Sequence, residues 1–147
     1  MQMRTILILS VLLTLALVAC GGGGDAETTE PTAEAVGDAQ NGEALYNMTT
    51  IGDSGAPGCV SCHSVQPTDD PLQPSPVGPS HYGLADRADD YVADMTGEEY
   101  IRESIVEPNA HIVEGYTEGL MYQFYEEELT EEQIDDLVAY LLTLHAE

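Results

Sequence analysis

The stretch Gly58-Cys-Val-Ser-Cys-His-Ser-Val65 decides how this chain is read. In 147 residues there are three cysteines and four histidines, yet Cys59, Cys62 and His63 share five consecutive positions. A Cys-x-x-Cys spacing serves a redox disulfide, half of a zinc site, or covalent attachment of haem. A structural zinc site takes four N or S ligands, usually from two pairs. This chain has no second cysteine pair, so zinc would need a mixed set with His81 or His111. A thioredoxin-like pair sits at a strand-to-helix junction, and no run here alternates with the period of a strand. A structural disulfide across four residues closes almost no loop.

Haem attachment uses every residue of the stretch. Three-residue spacing on a helical turn presents both sulfurs to one porphyrin edge, and the next residue, His63, then falls under the iron as its proximal ligand. That chemistry belongs outside the cytoplasm, and the N-terminus points the same way. After Arg4 comes an apolar run, Ile6 to Ala19, of 14 residues. It is short of the roughly 20 that span a bilayer and fits the core of a signal peptide. It closes on Leu17-Val18-Ala19-Cys20, which resembles a bacterial lipobox. Residues 1–19 are then a lipoprotein signal peptide, Cys20 is the acylated first residue of the mature chain, and the protein is anchored at the outer face of the bacterial cytoplasmic membrane.

Residues 20–37 are glycine, acid, threonine and small side chains without apolar periodicity, a flexible acidic linker with a reach of roughly 20–25 Å. The whole chain carries 27 acidic and three basic side chains, a formal charge of −24. Such a surface is repelled by nucleic acid and favours basic partners. The folded domain is residues 38–147. Asp38 is placed to cap a helix over 39–47. Thr96-Gly-Glu-Glu99 and Thr130-Glu-Glu-Gln133 are capping boxes, the first opening a helix to about Val106 before Pro108, the second a helix with Ile134, Leu137, Val138 and Leu141 on one stripe. Five prolines between Pro67 and Pro79 mark a loop. No sheet is expected. Three or four short helices with one Phe and no Trp make a poor core, and a large apolar cofactor would supply the missing interior.

Further motifs carry a resemblance. Gly42-Glu-Ala-Leu-Tyr46 near the start and Leu137-Val-Ala-Tyr140 near the end are similar to the paired helices of class I c-type cytochromes, which cross closely at the glycine. Gly78-Pro-Ser-His-Tyr-Gly-Leu84 resembles the loop that follows their proximal histidine. The resemblance spans residues 38–147. It implies an all-α, small cytochrome c fold around one covalently bound haem c, held by Cys59, Cys62 and His63, with the Pro79 carbonyl accepting the His63 ring N–H. It also implies a distal methionine on a loop before the last helix. Met121, 58 residues past His63 and nine before Thr130, stands there. Met48 lies on the wrong side of the motif, and Met95 reads as packing. His111 is the runner-up ligand, while His81, His111 and His145 otherwise read as surface or loop histidines. The family commonly has proline after this methionine, where this chain has Tyr122.

The resemblance implies no catalytic residue. It implies one-electron transfer in a respiratory or photosynthetic chain, with similarity over residues 104–144 to haem domains of respiratory oxidases and quinol-oxidising complexes. The competing classes are a haem gas sensor or peroxidase-like enzyme with a displaceable distal ligand, and a structural subunit. The run from Glu126 to Asp136 holds seven acids, the expected dock for a basic redox partner.

Overall fold

The computed structural model describes residues 37–67 and 77–147. The signal segment, Cys20 and nearly all of the linker lie outside the described residues, as does most of the proline-rich loop. Asp38 opens the first helix, α1 (Ala39–Tyr46), its carboxylate accepting the N–H of Gln40 at 2.8 Å and of Asn41 at 3.4 Å. The last helix, α4 (Glu131–Leu141), begins with the expected capping box. Gln133 N–H donates to Thr130 Oγ1 at 3.2 Å, and Thr130 N–H donates to Gln133 Oε1 at 2.9 Å.

These two helices cross where glycine permits it. A Cβ at Gly42 would stand 1.9 Å from the Asp136 carbonyl oxygen and 2.8 Å from Tyr140 Cβ. Tyr46 and Tyr140 fill the flank of the crossing with ring centroids 5.3 Å apart. A feature absent from the sequence reading locks the same corner: the buried Asp136 carboxylate accepts the Asp38 N–H at 2.6 Å.

Between them, α2 (Gly97–Val106) starts at the Thr96–Glu99 capping box and buries Tyr100, Ile101 and Ile105. It stops at Glu107, because Pro108 has no N–H and disfavours helical backbone in the residue before it. Arg102 on α2 pairs with Asp135 and reaches Glu131 at 3.5 Å, joining α2 to α4. A single turn, α3 (Tyr125–Glu128), precedes α4 and was not expected; Phe124 at its start makes no side-chain cap.

The expectation of no sheet is corrected. Thr50–Ile51 (β1) and Ala56–Pro57 (β2) pair antiparallel, Thr50 with Pro57 and Ile51 with Ala56. Two-residue strands are too short to show alternation. The legible trace was Gly52-Asp-Ser-Gly55, whose glycines take φ of +69° and +74° at the turn. The architecture is otherwise all-α, four short helices with this one hairpin among the described residues. Among the described residues its largest fully buried side chains are Tyr46, Ile51, Ile134 and Leu137.

Candidate functional site

Cys59–Ser61 forms a 3-10 turn, and the N–H groups of Cys62 and His63 both donate to the Cys59 carbonyl, at 3.1 and 3.0 Å. One helical turn therefore carries both thiols and the imidazole to the wall of a single cleft. Both thiols are free. Burial pushes the Cys59 thiol up to about 11, so it rests protonated at neutral pH.

The His63 ring is fixed from behind. Its Nδ1 lies 2.8 Å from the Pro79 carbonyl oxygen and donates to it, which leaves the lone pair on Nε2. Burial holds the imidazole below its ordinary pKa, the Pro79 carbonyl opposing this in part. A Cβ at Gly78 would fall 2.7 Å from His63 Cε1, so the ring packs directly on that glycine. His81 lies in a loop, as expected, and is stacked on His63, with centroids 4.1 Å apart and planes 15° from parallel. The Tyr46 hydroxyl sits 3.2 Å from His81 Nδ1 and donates to the His63 carbonyl at 3.1 Å. Burial first, then the charges of His63 and Arg87, hold His81 well below the usual histidine range. Sequence reasoning also passed over Arg87, which lines the cleft and donates to the Ser80 and Tyr82 carbonyls at 2.6 and 2.7 Å. Its signal was rarity: it is one of three cations in the chain.

Met121 reaches the same cleft from the loop between α2 and α3. Met48 is about half exposed and Met95 packs against the core; neither lines the cleft. His111 does line it, with Nε2 2.9 Å from Glu103 Oε1. The Met121 segment is held by amides. Gln123 Nε2 donates to the Met121 carbonyl at 2.6 Å, Asn109 Nδ2 donates to Gln123 Oε1 at 2.5 Å, and Asn109 Oδ1 accepts the Gly119 N–H at 3.0 Å.

The cleft between these two sides is partly open to solvent. Leu84, Ile101, Ile105, Leu137 and Leu141 give it apolar walls. Two free thiols on one turn, an imidazole with Nδ1 already committed, and an apolar cleft in front of them fit a covalently held haem. The mixed zinc set is not assembled: among the described residues no three His, Cys, Asp or Glu side chains gather to hold a metal ion. The fold and site thus define a protein built to carry a covalent haem. The family model of cytochrome c matches residues 39–145, and the chain belongs to that family. No curated protein matches it. Family membership makes it a haem c protein of electron transfer, with the cofactor attached covalently.

Proposed function

We propose that this chain is a monohaem class I c-type cytochrome that relays single electrons while tethered at the outer face of a bacterial cytoplasmic membrane, in a respiratory or photosynthetic chain and in company with a quinol-oxidising or oxidase complex. The observation that carries the reading is the meeting of Cys59, Cys62, His63 and Met121 at one cleft. When bound, the haem supplies a one-electron iron couple. The chain's own residues do the rest. The Cys59 and Cys62 thiols would hold the macrocycle covalently, both carried on one turn. His63 offers Nε2 as proximal ligand, made more basic by the bond from Nδ1 to Pro79. The Met121 thioether would be the second side-chain ligand of the group, and its sulfur would favour the reduced form. The apolar walls keep water away and limit reorganisation.

The tether is residues 20–37 with Cys20 as lipidation site, with a root-mean-square reach of roughly 25 Å. A basic partner remains the expected dock, on a smaller patch than the run of seven acids suggested. Asp136 is turned inward, Asp135 pairs with Arg102, and Glu128 accepts from Ser54 and Tyr122. Glu126, Glu127, Glu131 and Glu132 stay exposed. Val77, Ile112 and Leu120, which line the cleft and are exposed, offer apolar contact to a partner that reaches the cleft.

The test is Met121→Ala. It abolishes the weak far-red charge-transfer band of the oxidised protein and lowers the potential. A surviving band would assign the sixth position elsewhere, with His111→Ala as the next variant to examine.

A further inference from the structure

The residue after Met121 is a tyrosine whose hydroxyl is held from two sides. It donates to Glu128 Oε1 at 3.3 Å and stands 3.4 Å from Ser54 Oγ. Glu128 turns its other oxygen to the hairpin, where Oε2 accepts the Ser54 N–H at 3.2 Å. The seat is specific. Gly52, at φ +69°, lies so close that a Cβ there would stand 2.2 Å from Glu128 Oε2. Below it, Tyr125 Oη donates to the Pro57 carbonyl at 2.5 Å, and the Tyr125 and Tyr122 rings meet edge to face at 5.1 Å. The hairpin turn (residues 52–55), Tyr122 and α3 are thus one hydrogen-bonded unit, though 68 to 74 residues separate the hairpin from its partners.

Pro57, at the end of the hairpin, lines the cleft close to Cys59, but the two-residue strands are too short to be stable alone. It binds the segment immediately after Met121. On the other flank the Asn109–Gln123 amides hold the Met121 carbonyl and Gly119. The Tyr122 hydroxyl bonds tie this loop to the hairpin and α3, an attachment that the Asn109–Gln123 amides do not supply. Holding a side chain close to its productive position requires such support from neighbouring groups.

We infer that Tyr122, through Glu128 and the turn at Ser54, is a positioning residue that latches the Met121 loop over the cleft and slows release of the Met121 sulfur from the iron. This rests on Met121 being the distal ligand. The hairpin is then a strut for the distal side, and its glycine turn exists to receive Glu128.

The experiment follows displacement of the distal ligand by added imidazole in the oxidised full-length holoprotein, with stopped-flow absorbance as readout. The probe binds only after the native ligand leaves, so its limiting rate at high imidazole reports loop opening. Tyr122→Phe removes the hydroxyl and keeps the ring; Glu128→Ala removes its acceptor. Each raises the limiting rate about tenfold, equal to about 1.4 kcal/mol. Ser54→Ala, which loses the weakest bond, gives less. Because both changes break one latch, the double variant opens no faster than either single one, a non-additivity that unrelated surface effects would not show. Limiting rates within twofold of the parent, or singles whose effects multiply in the double variant, overturn the latch. A parent protein that lacks the far-red band, or keeps it in Met121→Ala, overturns the ligand reading beneath it, so the two failures are distinguishable. Thermal unfolding of each variant serves as the check on folding, and a variant that fails to fold is replaced by Glu128→Gln, which keeps one acceptor oxygen and gives an intermediate rate.

Discussion

Gly42→Ala sets two effects of opposite sign against each other at the α1–α4 crossing. In an isolated helix the change is favourable by about 1 kcal/mol. At this crossing the new methyl would sit 1.9 Å from the Asp136 carbonyl oxygen and 2.6 Å from its carbon. Ordinary C···O contacts lie near 3.3 Å or beyond, so the helices must part by about 1 Å or more. Overpacking of this kind costs about 1–3 kcal/mol. Parting the helices also loosens the Tyr46–Tyr140 contact, worth about 0.5–1.5 kcal/mol. The Asp38 N–H bond to the Asp136 carboxylate is a charge-assisted bond worth about 1.5–3 kcal/mol when intact. Partial loss of the latter two, less the helix gain, leaves a net destabilisation of about 2–4 kcal/mol, a fall in melting temperature on the order of 10 °C. Urea unfolding of the holoprotein is the assay, with exposed Asn41→Ala on the same helix as control, where propensity alone acts and stability rises by a few tenths of a kcal/mol. A Gly42→Ala midpoint at or above the parent's would refute the close crossing.

Three further outcomes follow from other parts of the molecule. Gly78→Ala places a methyl 2.7 Å from His63 Cε1 and 3.0 Å from Nδ1; it turns the ring, weakens the bond to Pro79 and makes the ligand a poorer donor, so redox titration gives a raised potential. Association with a basic redox partner slows steeply as salt is added from low to physiological strength, because exposed charges more than about 10 Å apart are screened there, and a charge-neutral variant of Glu126, Glu127, Glu131 and Glu132 loses that dependence. For pH, hydrogen bonds from the Thr96 backbone N–H and then its hydroxyl hold the Glu99 carboxyl below its ordinary value. Its contribution is therefore complete above the unfolded value of about 4.3 and is lost as pH falls through the lower folded value. Acidification also relieves self-repulsion in so acidic a chain, so the measured quantity is the stability difference between the parent and Glu99→Gln, which is constant above the unfolded value and shrinks toward zero as pH falls below it through the lower folded value; a pH-independent difference contradicts the assignment.

What the sequence made legible was local or rigidly spaced. Both capping boxes could be read because each joins residues three apart, and Gly42 and Tyr140 because a family motif carries them. The Cys59–His63 turn follows from spacing alone. What escaped was set by distant contacts. Seven acids in one run look alike on paper, yet Asp136 points inward because α1 begins beside it, and Asp135 and Glu128 are taken by Arg102 and the hairpin. The contacts of His81 escaped because nothing within its neighbourhood in sequence announces Tyr46 and His63 as its partners. The hairpin and α3 are too short for any period to show, and the tie between Tyr122 and Ser54 spans 68 residues. Met121 was identifiable only by its distance from Thr130; that it shares a cleft with His63 is a property of the fold.

Mass spectrometry of the denatured, purified protein tests the central claim most directly. The account predicts a polypeptide heavier by one haem, with the modified peptide carrying both Cys59 and Cys62, and no retained haem in the Cys59→Ala/Cys62→Ala double variant. An unmodified mass, haem released by acidic organic solvent, or haem still bound covalently in the double variant would contradict it.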